Sequence, residues 1–318
     1  MTYAFLLLGL LLLAGGGEIL VRGAVGAARS MGVSPLLIGL TLVGFGTSTP
    51  ELVTSLFAAF DEAPGIAIGN VVGSNMANIL LILGVSALVF PLAVTPAAFR
   101  RDGLVLVLST LACTGAILLG FLSRWVGMAF LLFLVGYIVW AYVNERRHPD
   151  AETEKREHVA ADAPAGPKSI VVSLALALAG IVLTIVGARL LVDAAIELAQ
   201  GFGVSDAVIG LTVVAVGTSL PELVACVIAA VRKHGDVALG NIIGSNIYNV
   251  FGILGVTALV HPIPVPPEIA RLDVWVLVAT TALLMLFLRT GWTLKRWEGG
   301  MFVALYGGYV TYLLMSQA

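Results

Sequence analysis

Two glutamates, Glu51 and Glu222, lie well inside long apolar segments. A carboxylate at membrane depth is costly unless it faces a polar cavity or binds a cation, so such residues indicate a functional site. The same residue types precede both, as Gly-Thr-Ser-Thr-Pro-Glu at 46–51 and Gly-Thr-Ser-Leu-Pro-Glu at 217–222. A purely structural role, as a buried, protonated glutamate that only packs helices, is the competing interpretation. The symmetric recurrence of the surroundings favours cation binding instead.

The prolines before these glutamates are expected to free backbone oxygens. Pro50 and Pro221 have no N–H, and each crowds the carbonyl four residues earlier. Those carbonyls, with the next ones at Thr47 and Thr218, are tolerated at membrane depth only where they line a cavity or coordinate an ion. Thr47 is also four residues before Glu51, which places both on one helix face.

A second set of oxygen-bearing side chains follows in each copy. Ser74 and Asn78 are four residues apart, as are Ser245 and Asn249, so each pair lies on one face of a helix. Glycines in the same motifs allow close helix approach. Packing and interhelical hydrogen bonds explain the remaining asparagines of the motifs, which are Asn70, Asn75, Asn241 and Asn246.

All these candidate ligands are oxygens, which suits the hard cations Ca²⁺ and Na⁺. No His or Cys stands beside them, which argues against zinc or copper. Two carboxylates neutralise one Ca²⁺ and can equally hold several Na⁺ spread over the hydroxyl and amide oxygens. The residue types therefore predict a site that can hold either one Ca²⁺ or several Na⁺.

The composition predicts the elements that must position this site. Of 318 residues, 59% are hydrophobic and 11% are charged, against about 25% charged in a soluble domain. A water-soluble enzyme is thereby excluded, and without a basic block no nucleic-acid partner is expected. Cys113 and Cys226 stand in apolar segments without metal-ligand spacing, so we interpret them as packing residues.

Apolar runs separated by breakers predict ten transmembrane helices in an all-α polytopic membrane protein. The only substantial hydrophilic segment, 144–168, is a predicted linker between a first five-helix repeat at 1–143 and a second at 169–318. The predicted spans are 3–22, 33–60, 66–90, 103–122, 125–143, 169–192, 204–231, 237–260, 272–288 and 298–315.

The two halves are copies of one another. An offset of 222 − 51 = 171 aligns both glutamate motifs, and the same offset places Gly-Asn-Val-Val-Gly-Ser-Asn-Met-Ala-Asn at 69–78 on Gly-Asn-Ile-Ile-Gly-Ser-Asn-Ile-Tyr-Asn at 240–249 without a gap. Because five spans is an odd number, the second copy must enter the membrane in the opposite orientation. The sequence thus predicts an inverted-topology repeat.

The distribution of positive charge agrees with that topology. With both termini outside and the linker in the cytoplasm, 14 of the 17 lysines and arginines fall on the inner side, as the positive-inside rule requires. The three on the outer side are Arg124, Arg189 and Arg271.

The paired motifs resemble the two alpha repeats of the sodium/calcium exchanger family, within the cation/calcium antiporter superfamily, and the chain is identified as a prokaryotic-type member. The similarity spans nearly the whole sequence. It implies alternating access without a cofactor, with one Ca²⁺ and about three Na⁺ competing for overlapping sites between helices 2, 3, 7 and 8.

The resemblance also implies roles for individual residues. The family's calcium ligands fall on Glu51 and Glu222, assisted by the Thr47 and Thr218 carbonyls. The family's sodium ligands fall on Ser48, Ser74, Ser219 and Ser245, with the backbone at Gly44 and Ala215, and Asn78 and Asn249 from the oxygen-bearing helix faces complete the candidate set. Where well-known members carry an aspartate, this chain has Asn249, so the sodium count and any proton competition are open.

The sequence therefore predicts a sodium-driven calcium antiporter of the cell (plasma or inner) membrane, with Ca²⁺, Na⁺ and the lipid bilayer as partners and a monomer as the sufficient unit. A proton/calcium exchanger is a rival, although its Gly-Asn-x-x-Glu-His motif is absent. Three more rivals are a potassium-dependent exchanger, a calcium-permeable channel and an intramembrane enzyme that uses both glutamates.

Overall fold

A computed structural model of the chain describes residues 2–33, 35–147, 169–201, 217 and 219–316. Within these residues the chain is almost entirely helical, and seven helical segments are long and apolar enough to cross a membrane. The chain is a helical, multi-pass membrane protein. These seven segments are Thr2–Met31, Pro64–Val89, Pro96–Leu118, Arg124–Asn144, Ile170–Ala194, Gly235–Val260 and Ile269–Arg289.

The helices are numbered here along the chain, and several are interrupted by π-helical turns. Before residue 148 they are α1 (Thr2–Met31), α2 (Pro35–Ile38), α3 (Gly44–Thr47), α4 (Thr49–Phe60), α5 (Pro64–Ala77), α6 (Gly84–Val89), α7 (Pro96–Ala98), α8 (Leu104–Leu118) and α9 (Arg124–Arg147). After residue 168 the described helices are α10 (Ile170–Gly201), α11 (Leu220–Val231), α12 (Gly235–Tyr248), α13 (Gly255–Val260), α14 (Val274–Arg289) and α15 (Arg296–Ser316). The π-helical turns are Gly39–Val43, Asn78–Leu83, Phe99–Gly103, Asn249–Leu254 and Ile269–Asp273.

The longest helix contact joins α1 to α10 through small residues. A Cβ added to Gly9 would lie 2.9 Å from the Gly187 carbonyl oxygen, and one added to Gly16 would lie 2.8 Å from Cβ of Leu183. Further along, Gly23 lies against the backbone of Ala177. Rising residue numbers in α1 meet falling numbers in α10, so these two helices are antiparallel.

Several predicted spans differ from the observed helices, and among them the sixth, predicted to end at residue 192, continues as α10 to Gly201. The sequence predicts that the first ends at residue 22, but α1 continues to Met31 because small and apolar residues follow and Arg22 is paired with Glu18 one turn earlier, Nε to Oε1 at 2.6 Å. The second, predicted as continuous, is interrupted at Ser48. The fourth begins at Pro96 rather than at 103.

Two short antiparallel strand pairs connect the loops of the two halves. Strand β1 (Leu92–Ala93) pairs with β4 (Thr293–Leu294), and β2 (Phe121–Leu122) pairs with β3 (Ile263–Pro264). Each pair therefore joins one loop from before residue 148 to one from after residue 168.

Hydrogen bonds at the centre of the bundle join residues that are 171 positions apart. The hydroxyls of Thr110 in α8 and Thr281 in α14 are 3.1 Å apart. Asn75 and Asn246 exchange side-chain to backbone bonds of 3.3 and 3.4 Å. A residue can contact its own repeat equivalent only near a symmetry axis, so an approximate two-fold axis passes between these pairs.

Candidate cation-binding site

Both motif glutamates stand in the first turn of a helix. The chain leaves helical geometry at Ser48 and at Ser219, and α4 and α11 then begin with a proline in their first turn followed by Glu51 and Glu222. Proline is tolerated there because the first helical N–H groups have no intrahelical partner. The Ser-x-Pro-Glu order thus sets both a helix start and the position of the carboxylate.

The two helix starts face each other through reciprocal contacts. Ser48 Oγ donates to Glu222 Oε1 at 2.9 Å, and Ser219 Oγ donates to Glu51 Oε1 at 3.3 Å. Both glutamates are only 1% exposed. The bundle therefore contains two buried carboxylates, each held by a serine of the opposite motif.

Four buried oxygens of the motif residues have no hydrogen-bond partner among the described residues. They are Oε2 of Glu51, Oε2 of Glu222, Oδ1 of Asn78 and Oδ1 of Asn249. An unsatisfied buried polar atom costs about 1–3 kcal/mol, so four in one region require an explanation. All four are acceptors, and a bound cation would satisfy them together.

Asn78 and Asn249 each begin a π-helical turn, Asn78–Leu83 and Asn249–Leu254. The first turn packs on α11, which carries Glu222, and the second packs on α4, which carries Glu51. Such π-helical turns occur frequently at functional sites. The two asparagines therefore border the helices that carry the carboxylates.

The backbone at Gly44 is held by close packing against α12. Ser245 Oγ in α12 donates to the Gly44 carbonyl at 3.2 Å. At Gly244, an added Cβ would overlap the Leu40 carbonyl group in the π-helical turn before Gly44. Only glycine lets α12 approach α3 closely enough for this bond. Ser74, the repeat equivalent of Ser245, is also buried.

Thr47 is buried, and its hydroxyl lies 3.0 Å from the Val43 carbonyl in its own helix and 3.4 Å from Asn241 Oδ1 in α12. The predicted ligand is its backbone carbonyl. The other two predicted positions, Thr218 and Ala215, lie outside the described residues.

Sequence reasoning assigned Asn70 and Asn241 to packing, and both bridge helices beside the site. Asn70 Nδ2 donates to the Glu51 carbonyl at 3.0 Å and to Ser55 Oγ at 2.9 Å. Asn241 Nδ2 lies 3.1 Å from Cys226 Sγ. Cys226 thus occupies the position of Ser55 in the second copy and contacts the equivalent asparagine. In the sequence, the 171-residue offset between the two copies relates the pair Asn70 and Ser55 to the pair Asn241 and Cys226.

No group of three or more His, Cys, Asp or Glu side chains that could hold a metal occurs among the described residues. The candidate site instead combines two carboxylates with amides, serine hydroxyls and backbone oxygens. That donor set fits Ca²⁺ and Na⁺ and does not fit zinc or copper.

Comparison with known proteins shows the family of the chain. The family model described as "Sodium/calcium exchanger protein" matches residues 1–143 and 172–315. The chain is 34% identical to the sodium/calcium exchanger MaX1 of Methanosarcina acetivorans over 98% of each protein. It is 39% identical to the inner membrane protein YrbG of Escherichia coli, over 98% of this chain and 95% of that protein. A solved structure of the sodium-calcium exchanger NCX_Mj, soaked with Na⁺ and Sr²⁺, matches with a TM-score of 0.83 and 36% identity over 98% of this chain and 97% of its own.

Proposed function

Because the chain belongs to the sodium/calcium exchanger family, we propose that it is a sodium-driven calcium antiporter that works by alternating access, with about three Na⁺ entering for each Ca²⁺ expelled. The observation that carries this proposal is the group of four unpartnered, buried oxygens on Glu51, Glu222, Asn78 and Asn249. Ca²⁺ takes six to eight oxygens, and two carboxylates balance its charge. The same oxygens can instead be shared among several Na⁺, so the two ions exclude each other.

The ligand set that we propose is larger than these four residues. It adds the serines that contact or border the carboxylates and the backbone oxygens of both motifs, namely Ser48, Ser74, Ser219, Ser245, Thr47, Thr218, Gly44 and Ala215. Ser48 and Ser219 support it most directly, since each touches the glutamate of the other motif. We propose no covalent catalysis at this site and no resident cofactor.

We propose that the fold consists of ten spans in two inverted five-helix repeats, at 1–143 and 169–318. The ten spans are the seven long segments together with the interrupted helix around Ser48, the predicted span that ends with α11, and α15. Three observations support the inversion: α1 runs antiparallel to its equivalent α10, hydrogen bonds cross an approximate two-fold axis, and each strand pair joins loops predicted on the same side of the membrane.

The proposed topology has both termini outside and the 144–168 linker in the cytoplasm. The distribution of lysine and arginine supports it. The relative named as an inner membrane protein supports a location in the inner membrane. Because both halves of one chain supply the candidate ligands, we propose that a monomer is sufficient for transport.

Purified protein in liposomes tests the function. Vesicles loaded with Na⁺ and diluted into Na⁺-free buffer should take up ⁴⁵Ca, and a sodium ionophore should abolish the uptake. With about three Na⁺ leaving per Ca²⁺ entering, one net positive charge leaves, so an inside-positive potential should accelerate uptake, driven by about 2.3 kcal/mol per 100 mV.

Other outcomes would contradict the proposal in distinguishable ways. Uptake that follows a pH gradient and ignores sodium would identify a proton/calcium exchanger. Uptake that requires potassium together with sodium would identify a potassium-dependent exchanger. An ohmic Ca²⁺ current that needs no gradient of a second ion would identify a channel.

A further inference from the structure

We infer that Asn75 and Asn246 are positioning residues that orient the amides of Asn78 and Asn249, so that both site asparagines present oxygen to the cation. This inference rests on the proposed function, and it deepens it by explaining how neutral amides are fixed as cation ligands. All four asparagines are buried, with exposures of 1–2%.

The orientation begins at two backbone carbonyls. Asn75 Nδ2 donates to the Asn246 carbonyl at 3.3 Å, and Asn246 Nδ2 donates to the Asn75 carbonyl at 3.4 Å. A backbone carbonyl can only accept, so each of these side chains must turn its NH₂ group toward it. The Oδ1 atom of each side chain is therefore directed elsewhere.

The amide orientation of Asn75 and Asn246 then determines the amide orientation of Asn78 and Asn249. Asn78 Nδ2 donates to Asn246 Oδ1 at 2.9 Å, and Asn249 Nδ2 donates to Asn75 Oδ1 at 2.9 Å. Since those Oδ1 atoms are acceptors, Asn78 and Asn249 must offer them their NH₂ groups. Their own Oδ1 atoms are left unpartnered and buried.

Rotating the amide group of Asn78 or of Asn249 by about 180° would be unfavourable for two reasons. Its Oδ1 would face another acceptor, and its NH₂ would replace an oxygen that a cation could bind. The two carbonyls thus determine the direction of four amides, and the result is two oxygens available for a cation. No charge is needed for this, which is consistent with an asparagine rather than an aspartate at position 249.

The test compares Ca²⁺ binding by purified protein with ⁴⁵Ca equilibrium dialysis. Asn75→Leu and Asn246→Leu remove the acceptor, and each should raise the Kd for Ca²⁺ by about 10- to 100-fold, the usual effect of removing a partner that orients a metal ligand.

Thr110→Val is the matched control, because it removes a buried bond across the same approximate axis without contacting the site asparagines. It should leave the Kd unchanged. Wild-type Kd in Asn75→Leu, or an equal rise in Thr110→Val, would overturn the inference. If Asn75→Leu does not fold, Asn75→Ala tests the same loss of the acceptor. Because the readout is binding, it stays interpretable even if sodium-dependent uptake by the wild type fails.

An independent observation concerns the ion pairs at the ends of the bundle. Glu18 in α1 accepts from Arg232, at the end of α11, through two contacts of 2.8 Å, and from Arg22 at 2.6 Å. The 171-residue offset places Arg189 at the position of Glu18, Asp193 at that of Arg22 and Asp61 at that of Arg232. Every charge is reversed in the equivalent cluster.

The two clusters are in different states. Arg189, Asp193 and Asp61 are exposed, and over the part of the chain that the structure describes no ion pair joins them. Because α1 and α10 are antiparallel, Arg189 lies about 13 Å along the helix pair from Glu18, at a rise of about 1.5 Å per residue. The helices α4 and α11 both start at the centre of the bundle and run in opposite directions. Asp61 and Arg232, which follow the last residues of these helices, therefore lie at opposite ends of the bundle.

We propose that these clusters are alternating electrostatic latches, which also rests on alternating access. When α1 and α10 move, the contact of Glu18 with Arg232 opens as that of Arg189 with Asp61 closes. Because every charge is reversed, the residues within each cluster still attract one another. The residue at the helix end is the positive Arg232 on the predicted inner side and the acidic Asp61 on the predicted outer side.

Cross-linking tests the latch. In a background with Cys113→Ser and Cys226→Ser, a short bis-maleimide should join Asp61→Cys to Arg189→Cys only in the alternative conformation. Adding Glu18→Gln should accelerate the cross-link about two- to fivefold, the range expected for an exposed ion pair, whereas Glu268→Gln, at an exposed carboxylate elsewhere, should not. A rate unaffected by Glu18→Gln, or no cross-link in any background, would overturn the proposal. Sodium-dependent uptake measured separately shows whether the transport cycle itself is present.

Discussion

Replacing Glu222 by glutamine keeps the shape of the side chain and removes one of the two buried negative charges of the candidate site. Both glutamates are 1% exposed, so water cannot compensate for the loss. A bound Ca²⁺ would then keep one uncompensated positive charge in the interior. Removing one partner of a buried charge pair costs about 3–5 kcal/mol, which corresponds to a rise in Kd of about 150- to 5,000-fold.

The same substitution should not damage the ion-free protein. Glutamine can still accept from Ser48, and one of the two buried negative charges, each with an unpartnered Oε2, is removed. We therefore expect the Tm without calcium to stay the same or rise. The upward shift of Tm that Ca²⁺ gives the wild type should disappear at Ca²⁺ concentrations below the new Kd, because ligand stabilisation depends on the ratio of concentration to Kd.

Glu298→Gln supplies the control for this measurement. Glu298 is also 1% exposed, but it lies outside both glutamate motifs and accepts from the backbone N–H of Lys295 at 2.7 Å at the start of α15. Its replacement should leave the calcium-induced Tm shift and the sodium-dependent uptake intact. A normal calcium shift in Glu222→Gln, or an equal loss in Glu298→Gln, would refute the assignment of Glu222 as a cation ligand.

Helix packing and the approximate two-fold axis give three further predictions. Gly16→Ala should slow transport and lower Tm, because its new Cβ would lie 2.8 Å from the facing helix, whereas Gly15→Ala, with nothing within 4 Å, should leave both unchanged in a thermal-shift and ⁴⁵Ca uptake comparison. Gly244→Ala should abolish uptake and reduce the yield of folded protein, because its Cβ would overlap a backbone carbonyl. Thr110→Val and Thr281→Val should each cost little stability and couple by about 0.6 kcal/mol in a double-mutant cycle, the average for interhelical hydrogen bonds in a membrane.

The sequence was sufficient to predict the membrane class and the family, because both follow from patterns that tertiary contacts do not alter. Apolar spans and paired Gly-Thr-Ser-x-Pro-Glu motifs are read directly from residue order, and the family match agrees with them. Helix ends were less predictable. The hydropathy pattern predicted that the first helix ends at residue 22. In the structure the Glu18 carboxylate pairs with Arg22, and α1 continues to Met31.

The composition of the candidate site could be predicted, but its polarity could not. The repeated motifs and their resemblance to the exchanger family placed the serines and glutamates of both motifs in one region, and the reciprocal serine–glutamate contacts agree with that expectation. Spacing carries no information about which end of an amide faces an ion. That direction depends on the backbone carbonyls of Asn75 and Asn246, which approach each other only after both halves have folded.

Symmetry is distributed unevenly over the molecule, and its distribution matches the requirements of the alternating access that we propose. At the centre, the two bonds that orient Asn78 and Asn249 are equal at 2.9 Å. A site that must bind the same ions from either side of the membrane needs equivalent ligands in both states. At the ends, Glu18 is paired while its equivalent, Arg189, is exposed. Two conformations that exchange the roles of the halves must differ there, so the ends are where the identity of the conformation should be measured.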